Sequence, residues 1–192
     1  TMEPVIRDGE LTWVDGPTES HDPGVISTIE QPFKADGGLC VLDGNLGRAV
    51  IKTSSLREGK TIVKAPAVVF ESQHDLDGAF KAGELNKDCV VVVRYQGPRA
   101  IGMPELHKLT PCLGILQDRG HKVALITDGR MSGASGRVPS AIHVVPEALD
   151  GGPIAKIQDG DLLRLDAVQG TLEVLTEGVL DREAATADLS AY

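Results

Sequence analysis

Two stretches of this chain are apolar at every position instead of every second one. Cys89-Val90-Val91-Val92-Val93 is β-branched after its first residue, and Val123-Ala124-Leu125-Ile126 stands within Lys122–Thr127. β-Branched residues favour extended backbone. A strand with one wet face alternates apolar and polar side chains, and a strand without alternation is covered on both faces. The chain must therefore bury part of a sheet between two other layers, which points to an α/β arrangement.

Other segments fill in the pattern. Leu39–Leu42 and Ala49–Lys52 read as short strands separated by the loop Asp43-Gly44-Asn45-Leu46-Gly47. Ala67–Phe70 and Ala141–Val145 read as two more, the latter ending at Pro146. After Asp159-Gly160-Asp161, Leu162–Asp166 and Thr171–Leu175 read as an antiparallel hairpin. Asp75–Lys81 reads as a helix stopped by Gly83. A second helix is expected over Pro104–Gly120, with Pro104 in its first turn and a break or kink at Pro111. About eight short strands and few helices imply a mixed β-barrel-like or sandwich core with flanking helices. Residues 1–36, with Pro4, Pro17, Pro23 and Pro32, read as an irregular entry arm or a short hairpin around Leu11–Val14. Residues 37–192 read as one domain, with a helix-like composition from Asp181 to Tyr192.

Composition limits the function classes. A formal net charge of -9 and 3% aromatic residues argue against a nucleic-acid platform. No apolar run approaches the roughly 20 residues that cross a bilayer, and no charged start followed by an apolar stretch suggests a signal peptide. Cys40, Cys89 and Cys112 show no paired spacing, and Cys89 and Cys112 read as small buried hydrophobes. An odd cysteine count fits a reducing compartment, so a cytoplasmic protein is expected. The opening Thr1-Met2-Glu3-Pro4 and the abrupt tail read as parts of a longer chain.

The stretch richest in chemistry is Thr127-Asp128-Gly129-Arg130-Met131-Ser132-Gly133-Ala134-Ser135-Gly136-Arg137, directly after a buried strand. Its glycines permit close backbone approach, and successive N–H groups in such loops form anion-binding concavities. Arg130 and Arg137 offer forked donors for carboxylate or phosphate. Arg94 to His107 leaves the other buried strand. If those strands are parallel neighbours, both loops emerge at one carboxyl end, where α/β sheets bind ligands. From Arg94 to Arg137 there are seven Lys or Arg and three Asp or Glu, a local excess of +4 in an acidic chain. That suits a small anionic substrate, with a solvated basic face as the alternative. Glu105 is either a first-turn carboxylate or a hard oxygen ligand for Mg²⁺. Asn45 either contacts a ligand or supports its turn. Gly-Arg-Met-Ser-Gly lacks the Gly-x-Ser-x-Gly spacing of a nucleophile elbow, so Ser132 is not marked as a hydrolase serine.

Four ordered motifs carry a resemblance: Gly44-Asn45-Leu46-Gly47, Arg94-Tyr95-Gln96-Gly97-Pro98, Gly102-Met103-Pro104-Glu105, and Thr127 to Gly133. Together they resemble the dihydroxy-acid and sugar-acid dehydratase family. Phe70 to Asp75, Leu106 to Leu109 and Ser132 to Pro146 look closer to the branch acting on 6-phosphogluconate. The resemblance implies a swivelling β/β/α domain and a homodimeric hydro-lyase using a 4Fe-4S type of iron–sulfur cluster and Mg²⁺. The cluster ligands would lie in an N-terminal domain absent from this chain. The reaction implied is dehydration of 6-phosphogluconate to 2-keto-3-deoxy-6-phosphogluconate, in the Entner–Doudoroff pathway. Ser132 would be the base at carbon 2 and Glu105 one Mg²⁺ ligand. Arg130, Gly133, Ser135, Arg137 and Asn45 are the expected substrate contacts. Half the metal shell would be missing, so the isolated chain is expected to be inactive. The alternatives are a dehydratase of another sugar acid or of dihydroxy acids, and a non-catalytic anion-binding module.

Overall fold

A computed structural model describes residues 1–131 and 136–190. The chain divides into two compact units, Thr1–Gly37 and Gly38–Tyr192. In the first, β1 (Met2–Arg7) and β2 (Glu10–Asp15) pair antiparallel. Their link is Asp8-Gly9, both at positive φ (53° and 84°). That combination is the two-residue turn whose twist matches a hairpin.

The second unit is a closed barrel of eight strands in the order β10-β3-β4-β8-β7-β6-β5-β9. These are β3 (Leu39–Gly44), β4 (Gly47–Lys52), β5 (Ile62–Phe70), β6 (Cys89–Val93), β7 (Val123–Thr127), β8 (Ser140–Val145), β9 (Leu162–Asp166) and β10 (Thr171–Val174). Strands β5 to β8 are parallel to one another. The other pairings are antiparallel, except for the closing contact of β10 with β3. Parallel neighbours need a crossover, and helices supply it. Helix α1 (Gln73–Ala82) links β5 to β6, and α3 (Leu109–Asp118) lies between β6 and β7. A single-turn helix, α2 (Pro98–Ile101), precedes α3.

The two apolar runs behave as their composition requires. Val90, Val92, Ala124 and Ile126 face the barrel interior with Leu42, Ile51, Leu163 and Leu165. Cys89, Val91, Val93, Val123 and Leu125 face outward beneath Leu76, Leu109, Leu113 and Leu116 of the helices. Alternate residues enter different cores, so neither face can be polar. Cys89 and Cys112 belong to the helix-side core, and burial pushes the Cys89 thiol up to about 11.

Helix α1 begins where Ser72 Oγ accepts the His74 N–H at 2.9 Å and ends at Gly83, which is left-handed with φ 80°. The expected second helix starts later than its sequence suggests. Pro104 lies outside it, and α3 begins at Leu109. Pro111 is its third residue, where the N–H has no partner within the helix, so the ring neither breaks nor kinks it. The expected helical tail is also corrected. Past a short 3-10 turn at Val179–Asp181, the described residues run without regular structure. Ala184, Ala187 and Leu189 pack against the barrel core there, and Arg182 holds Asp161 through two bonds of 2.6 and 3.0 Å. Among the described residues no helix is long and apolar enough to cross a membrane.

Leu125→Ala tests the two-sided sheet. It leaves a cavity under α3 and is expected to lower stability by about 2–5 kcal/mol in denaturant unfolding with an unchanged slope. A loss below about 1 kcal/mol contradicts the packing described.

Candidate functional site

Because β5 to β8 are parallel, the loops following them emerge at one end of the barrel. A buried carboxylate ties three of these loops together. Asp128, the first residue past β7, accepts the Gln96 N–H on one oxygen at 2.9 Å. Its other oxygen accepts the Tyr95 N–H at 3.2 Å and the Ala148 N–H at 2.9 Å. Burial pushes this carboxyl above its ordinary range, and the three N–H donors act against that shift. Glu147 makes a second tie, accepting the Arg99 N–H on both oxygens at 3.2 and 3.3 Å. Gln96 extends the set to the loop after β5, donating to the Glu71 carbonyl at 2.7 Å.

Close packing at this end requires glycine. A Cβ on Gly129 would stand 2.7 Å from Gln96 Cβ and 2.9 Å from Leu106 Cδ1. A Cβ on Gly97 would stand 1.9 Å from a Glu147 carboxylate oxygen.

Glu105 is brought to this end, though not on a helix. It forms an isolated parallel bridge with Arg130, and the Leu106 N–H donates to the Arg130 carbonyl at 3.1 Å. The Glu105 carboxylate lies 3.6 Å from the Arg130 guanidinium, whose Nε also donates to the Met103 carbonyl at 2.9 Å. The first-turn carboxylate expected from Pro104-Glu105 is thus replaced by a strand-like bridge that joins the two motif loops. Arg130 stands two positions before Ser132. Ser132, Gly133 and Ser135 lie outside the described residues, between Met131, which is buried, and Gly136, which packs against Ser55 and Lys52.

The Asn45 amide donates to the Val174 carbonyl and accepts the Val174 N–H, both at 2.8 Å. It straps the β3–β4 turn to β10, the turn-supporting role that stood beside the ligand contact in the sequence. Arg137 pairs with Asp118 at the end of α3.

The charge pattern needs a correction. Arg94 is buried, donates to the carbonyls of Ala155 and Ile157 at 3.0 Å each, and lies 3.2 Å from Glu71. Arg99 pairs with Asp150, Arg130 with Glu105 and Arg137 with Asp118. Four of the seven cations in the +4 segment therefore have carboxylate partners, and Glu71 and Asp150 lie outside the segment that was counted. The formal excess overstates the local field.

For Mg²⁺, the residues present fit in part. Glu105 offers hard oxygen donors at about one-third side-chain exposure. Among the described residues no three His, Cys, Asp or Glu side chains gather as a metal site, so further ligands would come from outside them. Cys89 and Cys112 do not fit an iron–sulfur cluster, because both side chains pack inside the apolar helix-side core and burial favours their thiol over the thiolate a cluster needs.

The sequence reading passed over Asp128, Gln96 and Glu147. Asp128 carried a signal, being an acidic residue between a fully apolar strand and a glycine, where burial demands hydrogen-bond donors.

A closed mixed barrel with few helices, carrying motif loops at the carboxyl end of its parallel strands, defines the chain as an α/β barrel domain. A family model described as dihydroxy-acid/6-phosphogluconate dehydratase C-terminal matches residues 24–190, and the chain belongs to that family. It is 58% identical to phosphogluconate dehydratase of Escherichia coli (strain K12), covering 100% of this chain and 32% of that protein. It is 58% identical to phosphogluconate dehydratase of Pseudomonas aeruginosa over 92% of the chain and 29% of that protein. To a dihydroxy-acid dehydratase of Wolinella succinogenes the identity is 44%, over 81% of the chain. The chain thus spans about a third of the length of the curated relatives it matches.

Asp128→Asn tests the loop tie. It removes a carboxylate that accepts three backbone N–H groups and is expected to cost about 1–3 kcal/mol for each donor left unsatisfied. Thermal unfolding reads the loss, and a variant within about 0.5 kcal/mol of wild type contradicts it.

Proposed function

We propose that this chain is the C-terminal part of a hydro-lyase that dehydrates 6-phosphogluconate to 2-keto-3-deoxy-6-phosphogluconate, the step named for the Entner–Doudoroff pathway. The observation that carries the reading is the joining of two motif loops by the Glu105–Arg130 bridge, two residues before Ser132. The names and identities of the relatives support the substrate. The working enzyme is a homodimer in the cytoplasm, with the cluster ligands on the part of the longer protein that this chain does not span.

In this reading Ser132 removes the proton from carbon 2, the hydroxyl on carbon 3 departs, and the enol tautomerises to the 2-keto acid. A serine hydroxyl is a weak base and needs activation. Bound Mg²⁺ supplies positive charge that favours the alkoxide and the anion developing beside the substrate carboxylate, and Glu105 is the residue that would hold it. Arg130 orients Glu105 through their ion pair and, with Arg137 and the N–H groups of Gly133 and Ser135, receives the carboxylate or phosphate. Asp128 acts through the backbone, fixing the loops against one another before substrate arrives. The 192-residue chain alone lacks the rest of the site and is inactive.

The test is anaerobic turnover of 6-phosphogluconate by the full-length enzyme, with wild type and Ser132→Ala compared at equal iron content. A fall in kcat of roughly a hundredfold or more fits loss of a general base, and near-normal turnover removes Ser132 from the mechanism. Arg137→Ala is expected to raise KM more than it lowers kcat, and an unchanged KM contradicts its role as an anion contact.

A further inference from the structure

The hairpin of the first unit has one apolar face and nothing of its own to bury it. Residues opposite each other across an antiparallel pair share a face. Met2, Pro4 and Ile6 stand opposite Asp15, Trp13 and Leu11, so five of these six side chains are apolar. They are exposed, with Met2 at 56%, Ile6 at 70%, Leu11 at 62% and Trp13 at 58%. The other face carries Glu3, Val5, Arg7, Glu10, Thr12 and Val14, and its two valines are half-buried. None of the residues from Thr1 to Gly37, all of them described, is buried. A lone two-stranded hairpin is marginal in water, and one that offers an aromatic and aliphatic face to solvent needs a cover.

Two further facts bear on what covers it. The family model begins at residue 24, so the hairpin lies outside the domain that the family shares. The Escherichia coli relative nevertheless matches the whole chain, hairpin included, and this match takes up only 32% of that protein. The matching family domain is described as C-terminal, so most of the remaining length precedes the hairpin.

We infer that the face formed by Met2, Pro4, Ile6, Leu11 and Trp13 docks as a clasp on the segment of the longer enzyme that immediately precedes it. This rests on the proposal that the chain is the C-terminal part of a longer dehydratase. A segment continuous with β1 is held at high effective concentration beside it, which favours it over a separate molecule. The asymmetry of the faces gives the clasp its orientation, with the exposed Glu3, Arg7 and Glu10 on the opposite face.

The experiment uses the full-length enzyme with photoreactive benzoylphenylalanine at Leu11, or at Thr12 on the opposite face as control. The clasp predicts that the Leu11 probe crosslinks within one chain to residues preceding Thr1, well above the Thr12 probe. Crosslinks at twice the chain mass assign the face to a second copy and overturn the inference. Crosslinks into residues 38–190, or yields equal to the Thr12 control, also overturn it. Amide exchange gives a probe-free check, because Glu10–Asp15 are expected to exchange at least tenfold slower in wild type than in Trp13→Glu. Equal rates overturn the clasp. Turnover of 6-phosphogluconate by the same wild-type preparation separates the two proposals. Crosslinking without turnover refutes the reaction and leaves the clasp standing, and turnover without crosslinking refutes the clasp alone.

Discussion

Val90, Val92, Ala124 and Ile126 occupy the barrel interior, while Val91, Val93, Val123 and Leu125 lie beneath two helices. Each of these side chains is removed from water only if both sides of the sheet are covered at once. Covering the outer side needs α1 and α3, and those helices are the connections that let β5, β6 and β7 run parallel. Parallel strands in turn deliver their following loops to one end. The position of the candidate site therefore follows from where the valines must be buried.

What that end can do depends on how its loops are held. Asp128 supplies one carboxylate to three backbone N–H groups from two other loops, and Glu147 adds a tie to Arg99. Burying a carboxylate is costly unless donors surround it, and here the donors are main-chain groups that would otherwise be unsatisfied. The arrangement stiffens the loops, while the glycines at 97 and 129 let them approach. The arginines contribute less free positive charge than their number suggests, because carboxylates from neighbouring loops accompany them.

Much of the fold was legible in the chain. The unbroken runs announced strands covered on both faces, and the two short runs Leu162–Asp166 and Thr171–Leu175 announced the antiparallel pair of β9 and β10. The late start of α3 was harder to see. Pro104 is a good first-turn residue, but the backbone at Glu105 takes the alternative of pairing with Arg130, a long-range contact without a local signature. Asp8-Gly9 carries a local signature for the first hairpin, although Pro4 and Pro17 beside it favour irregular backbone. Asn45 read as a ligand contact or a turn support, and only the fold reveals the backbone of Val174 beside it. Motif and chemistry singled out Glu105 and Arg130, and the fold brings the two together. The role of Asp128 depends on which N–H groups meet it in space, which a charge count does not carry.

The family assignment covers residues 24–190, and the proposed activity belongs to a protein about three times as long as this chain. The central claim is that this barrel end helps to process a phosphorylated sugar acid in preference to a simple dihydroxy acid. Its most direct test is anaerobic turnover by the full-length wild-type enzyme of 6-phosphogluconate against a branched 2,3-dihydroxy acid, each followed by appearance of the 2-keto product. The account predicts a kcat/KM at least a hundredfold higher for 6-phosphogluconate, roughly 2.7 kcal/mol of discrimination. Equal efficiency, or a preference for the dihydroxy acid, would contradict it.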